Sequence, residues 1–365
     1  MSEEKFEENG LEIEADGDED EIVAVNYDIA SYPSDFTLSG ISEMWKEKVI
    51  VIPNYQREFV WTIKQASLLI DSFLMGLPVP PVFFYVDKDN KNLVIDGQQR
   101  ILSIVFFLEG YFGKESTQGR RQVFRLSGLH SNHLYQGKKF DELDEKEQRK
   151  LKQAVLRAVN IRQLSPIGES TSAYHIFERL NTGGTPLKPQ EIRNCVFRGG
   201  LNKRLKEANN DTNWRKLLGK DDPDKHQKDV ELLLRIFSLV RTWSEYESPM
   251  KEYLNRAMKQ HDSGRTKKAT RFFNLFPIIT KRVVEEIGEK PFHLRVRGPL
   301  NGSALDSVMA VLIENHSKLD TLDLQDNFKR LLADKEFDEY TRTKTTDTKT
   351  VRDRCRIVEK YLIGK

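Results

Sequence analysis

The sequence predicts an α+β domain followed by an all-helical region. Strand-like apolar runs alternate with helix-like segments up to about residue 200, and beyond Leu201 only helical periodicity remains. A third observation is a strongly acidic N-terminus, which fits neither pattern. We therefore divide the chain into an acidic tail over residues 1–30, a mixed domain over residues 31–200 and a helical domain over residues 201–365.

The formal net charge of +2 conceals an acidic tail and a basic body. Residues 1–22 hold eleven acidic side chains and one lysine, so this stretch carries −10 and the other 343 residues carry +12. Such a block of like charge is typical of a disordered, solvated tail. Alternatively, the tail mimics nucleic acid and competes for a basic surface on the body.

Cysteine usage and hydropathy limit the class of protein. Cys195 and Cys355 lie far apart without CxxC spacing, which argues against a disulfide framework and against a cysteine zinc site. No stretch approaches 18 consecutive apolar residues, and the N-terminus has no apolar signal core. We therefore expect a cytoplasmic protein without a membrane partner.

Local signals define the elements of the mixed half. Thr62 and Gln65 have capping-box spacing and begin a helix that should end at Gly76, just before Pro78. A strand over 82–86, a turn over 87–92 and a strand over 93–95 predict a hairpin, which an apolar helix over 101–108 follows. The other predicted elements here are helices over 42–48, 141–158, 171–180 and 190–198 and strands over 122–126 and 159–164.

The second half reads as a series of amphipathic helices without a fixed repeat. The predicted helices cover residues 229–246, 250–261, 270–287, 303–316, 324–333 and 348–363.

The turn Asp96-Gly97-Gln98-Gln99-Arg100 (DGQQR) joins the second hairpin strand to the apolar helix. In a structural interpretation, Asp96 is the N-cap and Gln99 completes a capping box, worth about 1 kcal/mol. In a functional interpretation, the helix N-terminus binds a phosphate that Arg100 clamps. Asp96 would then hold a metal or orient water, and Gln98 would position a nucleophile or read a base. Both interpretations remain open at this point.

Two further polar blocks have a structural and a functional interpretation. Tyr55, Gln56 and Arg57 could stack on a base, bond its edge and contact phosphate, or form an ordinary strand-to-helix connection. Residues 177–187, FERLNTGGTPL, could provide a backbone nest for an anion or simply a helix C-cap and a tight turn.

The C-terminal helix carries two stripes about 135° apart at 100° per residue. The basic stripe is a solvated face, or it contacts the DNA backbone with help from Lys267, Lys268 and Arg271. The apolar stripe consists of Val351, Cys355, Val358 and Leu362, and the basic stripe of Lys349, Arg352, Arg356 and Lys360.

Four segments together carry a family resemblance. The segments IPNYQREFVW, LIDSFLMGLPVPPVFFY, LVIDGQQRILSI and FERLNTGGTPLKPQEIRN occur in this order. The chain resembles the N-terminal domain of GmrSD-type restriction endonucleases over about residues 37–200. That resemblance implies a ParB/sulfiredoxin-like mixed domain and a role in restriction and phage defence against foreign or modified DNA.

The resemblance also implies roles for individual residues. It associates the DGQQR block with binding and hydrolysis of a nucleoside triphosphate, GTP or ATP, with Mg²⁺. Asp96, Gln98 and Arg100 would be catalytic, Asp96 would be the candidate metal ligand, and Gly97 and Gln99 would contact the nucleotide. The remaining residues, which would line the same cavity or sense the DNA modification, are Tyr55, Gln56, Arg57, Arg179 and Asn181.

One departure from the family pattern concerns DNA cleavage. Longer family members often continue into an HNH-type nuclease domain, and no such motif occurs in this sequence. We therefore expect a separate nuclease subunit as partner, besides DNA, and a sensor that signals to it could form a homodimer. The alternatives are a non-enzymatic ParB-like DNA-binding adaptor and a ParB-like nuclease.

Overall fold

A computed structural model provides the structure of the chain. It describes residues 11–14, 28–52, 59–87, 89–113, 121–130, 132–165, 172–180, 188–197, 199–295 and 298–364. The contacts divide the chain into two compact units, each with its own core. The mixed unit is Asn26–Leu187, and the helical unit is Lys188–Lys365 together with Met1–Val25.

A five-stranded mixed sheet forms the centre of the mixed unit. The strands of this unit are β1 (Asp28–Thr37), β2 (Ile50–Val51), β3 (Val82–Val86), β4 (Asn92–Asp96), the separate pair β5 (Tyr111–Phe112) and β6 (Gln122–Val123), and β7 (Val155–Ser165). The order of strands in the five-stranded sheet is β1-β7-β3-β4-β2. The β3–β4 and β1–β7 pairs are antiparallel, whereas β3–β7 and β2–β4 are parallel. β4 is buried at four consecutive residues, as expected of a strand inside a sheet covered on both faces.

The helices of the mixed unit include the one that capping signals predict best, at both of its ends. The Thr62–Gln65 capping box and the left-handed Gly76 that ends the same helix are both confirmed. The helix predicted over 141–158 is wrong at its end, because β7 begins at Val155 and alternates exposed and buried residues there. The helices are α1 (Leu38–Lys46), α2 (Ile63–Met75), α3 (Gln98–Glu109), α4 (Glu145–Gln153) and α5 (Ser172–Leu180), with a 3-10 turn over Phe140–Glu142.

The described elements of the helical unit, apart from one isolated bridge, are helices around a single apolar core. They are α6 (Pro189–Val196), α7 (Gly200–Ala208), α8 (Thr212–Leu218), α9 (Lys228–Leu239), α10 (Met250–Gln260), α11 (Lys267–Glu286), α12 (Gly302–Glu314), α13 (Leu324–Leu332), α14 (Lys335–Tyr340) and α15 (Thr348–Ile363), with 3-10 turns over Trp243–Glu245 and His316–Thr321. α12 is buried at twelve successive residues and lies at the centre of the core. α7, α8 and α14 have no counterpart among the predicted helices. The predicted class, an α+β domain followed by a helical region, is confirmed.

A short part of the acidic N-terminus packs on the helical unit. Leu11 is only 3% exposed, and its backbone N–H donates to Asp224 Oδ2 at 2.8 Å. Ile13 pairs with Leu300 in a parallel bridge, and Asn301 Nδ2 donates to Glu14 Oε2 at 2.6 Å. Residues 11–14 are therefore part of the folded body, in contrast to the solvated tail that the charge of this region predicts. Among the described helices, none is long and apolar enough to cross a membrane.

Candidate functional site

The turn between β4 and α3 depends on a glycine at its centre. β4 ends at Asp96, α3 begins at Gln98, and Gly97 between them has φ of +99°. A Cβ at position 97 would lie 2.3 Å from Val82 Cγ1 on the neighbouring strand. Only glycine combines this left-handed conformation with so close an approach. The chain can therefore reverse from strand to helix within a single residue.

An ion pair spans the start of α3. Arg100 Nη2 lies 2.7 Å from Asp96 Oδ2 and 3.1 Å from the carbonyl oxygen of Pro81, to which it also donates. The Arg100 side chain is 17% exposed and that of Asp96 38% exposed. Among the described residues, the buried Arg100 Nε has no hydrogen-bond partner. The guanidinium is therefore a fixed positive charge, with the Asp96 carboxylate beside it at the protein surface.

The predicted capping box of Asp96 and Gln99 is wrong. The N-cap of α3 is Gly97, without a side-chain capping bond, and Asp96 pairs with Arg100 instead. Gln99 Oε1 accepts hydrogen bonds from the backbone N–H groups of Val60 and Trp61 at 3.0 and 3.1 Å. Because Gly97 already reverses the chain, Asp96 is available to pair with Arg100, and Gln99 is available to bind another segment.

Gln99 thereby fixes the segment that follows Tyr55, Gln56 and Arg57, which form the second polar block. Phe59 in that segment packs edge-on against Phe106 of α3 and Phe112 of β5, with ring centroids 5.1 and 5.3 Å apart. The chain immediately after Tyr55, Gln56 and Arg57 thus lies beside the start of α3. Those three residues themselves lie outside the described part of the chain.

The third polar block, residues 177–187, begins within α5, which contacts β4 in the mixed unit. Tyr174 anchors α5 as a fully buried side chain, whereas Arg179 at the end of the helix is exposed. Asn181 lies outside the described residues. The described residues therefore bring together DGQQR and the segment after the second block, while the helix in which the third block begins contacts β4, the strand that ends at Asp96.

Sequence reasoning missed three backbone groups of this site. The carbonyl of Pro81 holds Arg100, and the amides of Val60 and Trp61 hold Gln99. Backbone groups are the same in every residue type, so such contacts leave no signal in the sequence. The one available clue is the Pro80-Pro81 pair, which fixes where β3 begins.

The basic stripe of α15 is partly used within the helical unit. The apolar stripe is buried as predicted. Arg352 Nε donates to the carbonyl of Tyr246 at 2.9 Å, and Arg356 pairs with Asp353 one turn earlier. Lys349 and Lys360 are exposed.

The comparisons with known proteins agree with the four-segment resemblance. Residues 39–198 match the family model of the GmrSD restriction endonuclease, N-terminal domain. The match covers less than half of the chain, and it contains all three polar blocks. No curated protein matches the sequence. The resemblance is therefore confirmed for this segment, and the segment indicates a component of a restriction system.

Proposed function

We propose that this restriction-system component senses foreign or modified DNA and hydrolyses a nucleoside triphosphate, bound at the start of α3. The observation that carries the proposal is the composition of that turn. A helix N-terminus without a side-chain cap adjoins a fixed guanidinium and a partly exposed carboxylate. The partial positive charge of a helix start favours a phosphate, and a held arginine adds a full charge.

Arg100 supplies preorganised charge in this proposal. Its guanidinium is already oriented by Asp96 and the carbonyl of Pro81, so the charge needs no reorganisation when the phosphates arrive. Preorganised contacts of this kind typically contribute 10²–10³ in rate when they act on the transition state.

Asp96 is the residue in this turn that suits Mg²⁺. One of its oxygens faces Arg100, and the side chain keeps 38% of its surface exposed. Magnesium in triphosphate sites usually takes one or two carboxylates together with phosphate oxygens and water. No group of three His, Cys, Asp or Glu side chains suited to a metal occurs among the described residues, so Asp96 would act with the substrate phosphates. GTP and ATP both provide these phosphates.

The neighbouring blocks would add specificity. Gln98 is half-buried at the first position of α3, close to where a phosphate would lie. Tyr55, Gln56, Arg57 and Asn181 would complete the cavity, and Arg179 is exposed at the end of α5. A DNA signal reaching Val60 and Trp61 would act on α3 through Gln99. Nuclease activity would come from a separate subunit.

The test is hydrolysis of GTP and ATP by the purified chain, with and without DNA. Arg100→Ala and Asp96→Ala should each lower turnover by 10²–10³. Arg125→Ala is the matched control, because Arg125 and Glu142 form another arginine–carboxylate pair of the mixed unit, at 2.6 Å. Circular dichroism of each variant checks the fold. Unchanged turnover in both folded α3 variants would refute the assignment.

One observation favours the second candidate, a non-enzymatic DNA-binding adaptor. Asp96, Gln99 and Arg100 all have partners that hold the turn together, so the motif has a structural explanation. This candidate predicts salt-sensitive DNA binding without hydrolysis. Loss of stability in Arg100→Ala, combined with no turnover in the unaltered chain, would support the adaptor.

A further inference from the structure

We propose that one face of α11 in the helical unit binds the sugar-phosphate backbone of duplex DNA. The α11 basic face consists of Arg265, Lys267, Thr270, Arg271 and Asn274, all of them exposed. This proposal rests on the proposed function, in which DNA is a partner, and it identifies the surface of the protein that binds this DNA.

Charge distribution along the chain is the first observation. Residues 263–284 contain six basic side chains and no acidic one, in a chain with 56 acidic residues. Three of the six are neutralised or buried. Lys281 pairs with Glu285, Arg282 pairs with Glu286 and Asp320, and Lys268 is enclosed.

Lys268 points away from the face. Its Nζ donates to the carbonyl of Ser238 at 2.9 Å and to Thr242 Oγ1 at 3.1 Å, and burial lowers its pKa to about 8. The three remaining cations are Arg265, Lys267 and Arg271. None of them has an ion-pair partner among the described residues. Positive charge without a protein partner is therefore concentrated at the start of α11.

The second observation is the shape of the surface. Residues 267, 270, 271 and 274 share one side of the helix and span about 10 Å along its axis. A groove of about 530 Å³ runs beside them, and Leu275 and His316 also line it. Just before the helix, Arg204 Nη1 donates to the carbonyl of Gly264 at 2.8 Å. The length corresponds to about three base-pair steps of a duplex strand.

The residue types favour backbone contact over base stacking. Phe272 and Phe276 are buried, and the guanidinium of Arg204 covers the ring of Phe273 at 4.4 Å. The face therefore has no exposed aromatic ring on which a single strand could stack. Thr270 and Asn274 offer the hydroxyl and amide groups that commonly contact phosphate oxygens.

The basic stripe of α15 also carries charge that suits DNA, but it is the weaker candidate for a DNA-binding surface. Arg352 is held by the carbonyl of Tyr246, and Arg356 is paired with Asp353. Charge that is already paired within the protein releases fewer counterions from DNA, because the phosphate must compete with the internal partner.

The experiment compares two double variants that remove the same charge. Binding of a 20-base-pair duplex is measured by fluorescence anisotropy from 50 to 200 mM salt. Lys267→Gln/Arg271→Gln alters the α11 basic face, and Arg356→Gln/Lys360→Gln is the control on α15. Three phosphate contacts predict a slope of log K against log[salt] of about −3 for the unaltered chain. The α11 pair should reduce this slope by about 2 and weaken binding about 50-fold at 0.1 M salt.

The outcomes separate the inference from the function on which it rests. A loss confined to the α11 pair supports the inference. An equal loss in both pairs, or no loss in the α11 pair, overturns it while the DNA partner stands. Tighter binding of a single-stranded oligonucleotide would overturn the duplex assignment. If the unaltered chain does not bind the duplex at 50 mM salt, the DNA partner of the proposed function fails as well.

Discussion

Replacing Gly97 by alanine isolates the physical requirement at the centre of the candidate site. Gly97 has φ of +99°, and an added Cβ would lie 2.3 Å from Val82 Cγ1 and 2.8 Å from Val82 Cβ. Val82 is fully buried in β3, so it cannot move away into solvent. The same Cβ would also lie 3.3 Å from Arg100 Nη2, the atom that bonds Asp96.

The loss of stability that we expect for Gly97→Ala has two separable parts. The left-handed conformation costs a non-glycine residue about 1–2 kcal/mol. Forcing a methyl group into a packed core costs about 1–3 kcal/mol more. Gly97→Ala should therefore destabilise the mixed unit by about 2–5 kcal/mol.

Gly110 provides the matched control at the other end of α3. Its φ of +82° is similarly left-handed, but a Cβ there would meet no atom within 4 Å. Gly110→Ala should therefore cost only about 1–2 kcal/mol, the conformational part. The difference between the two variants measures the steric overlap with Val82.

Hydrogen exchange is the suitable assay, because it reads the mixed unit separately from the helical unit. Peptides from β3, β4 and α3 report opening free energies as urea increases. A Gly97→Ala variant that loses no more stability than Gly110→Ala would refute the steric argument. Retained stability with lost hydrolysis would instead show that the alanine acts through Arg100.

Two further predictions concern the helical unit. Leu11→Ala should destabilise this unit by about 2 kcal/mol in urea denaturation, because Leu11 is 3% exposed and joins the helical core; no change would mean that residues 11–14 contribute nothing to stability. His261 is 9% exposed, and burial, aided by the nearby charge of Lys268, lowers its pKa to about 4. The His261 imidazole takes up a proton near pH 6.5 in the unfolded chain, but only near pH 4 in the folded chain. The contribution of neutral His261 to the free energy of unfolding is therefore complete above pH 6.5 and disappears as the pH falls to 4. The loss should be about 3 kcal/mol, and His261→Gln should remove that part of the pH dependence of urea denaturation; identical profiles would refute the assignment.

Signals that act within a few residues predicted their elements well. The Thr62–Gln65 capping box, the left-handed Gly76 and the bounds of β3 follow from residue types at fixed short spacings. The helix over 348–363 is also confirmed at both ends. In each case the deciding partners are neighbours in the chain, so the sequence contains the information.

Long-range partners explain what the sequence did not predict. Leu11 belongs to an acidic stretch, and its binding site depends on Asp224, 213 positions away. The end of α4 depends on β1, with which β7 pairs from Val155 onward. Charge alone could not separate the α11 and α15 surfaces, because the difference lies in which cations have internal partners.

The DGQQR turn shows how a correct local pattern can predict the wrong contact. Asp96 and Gln99 have capping-box spacing, yet Gly97 turns the chain so that helix α3 begins one residue after it. Asp96 then holds Arg100, and Gln99 holds the segment that follows Tyr55, Gln56 and Arg57. A capping box would have tied both side chains to their own helix. Gln99 instead ties this helix start to the chain that follows a second polar block, and the proposed coupling of a nucleotide site to a DNA sensor depends on that contact.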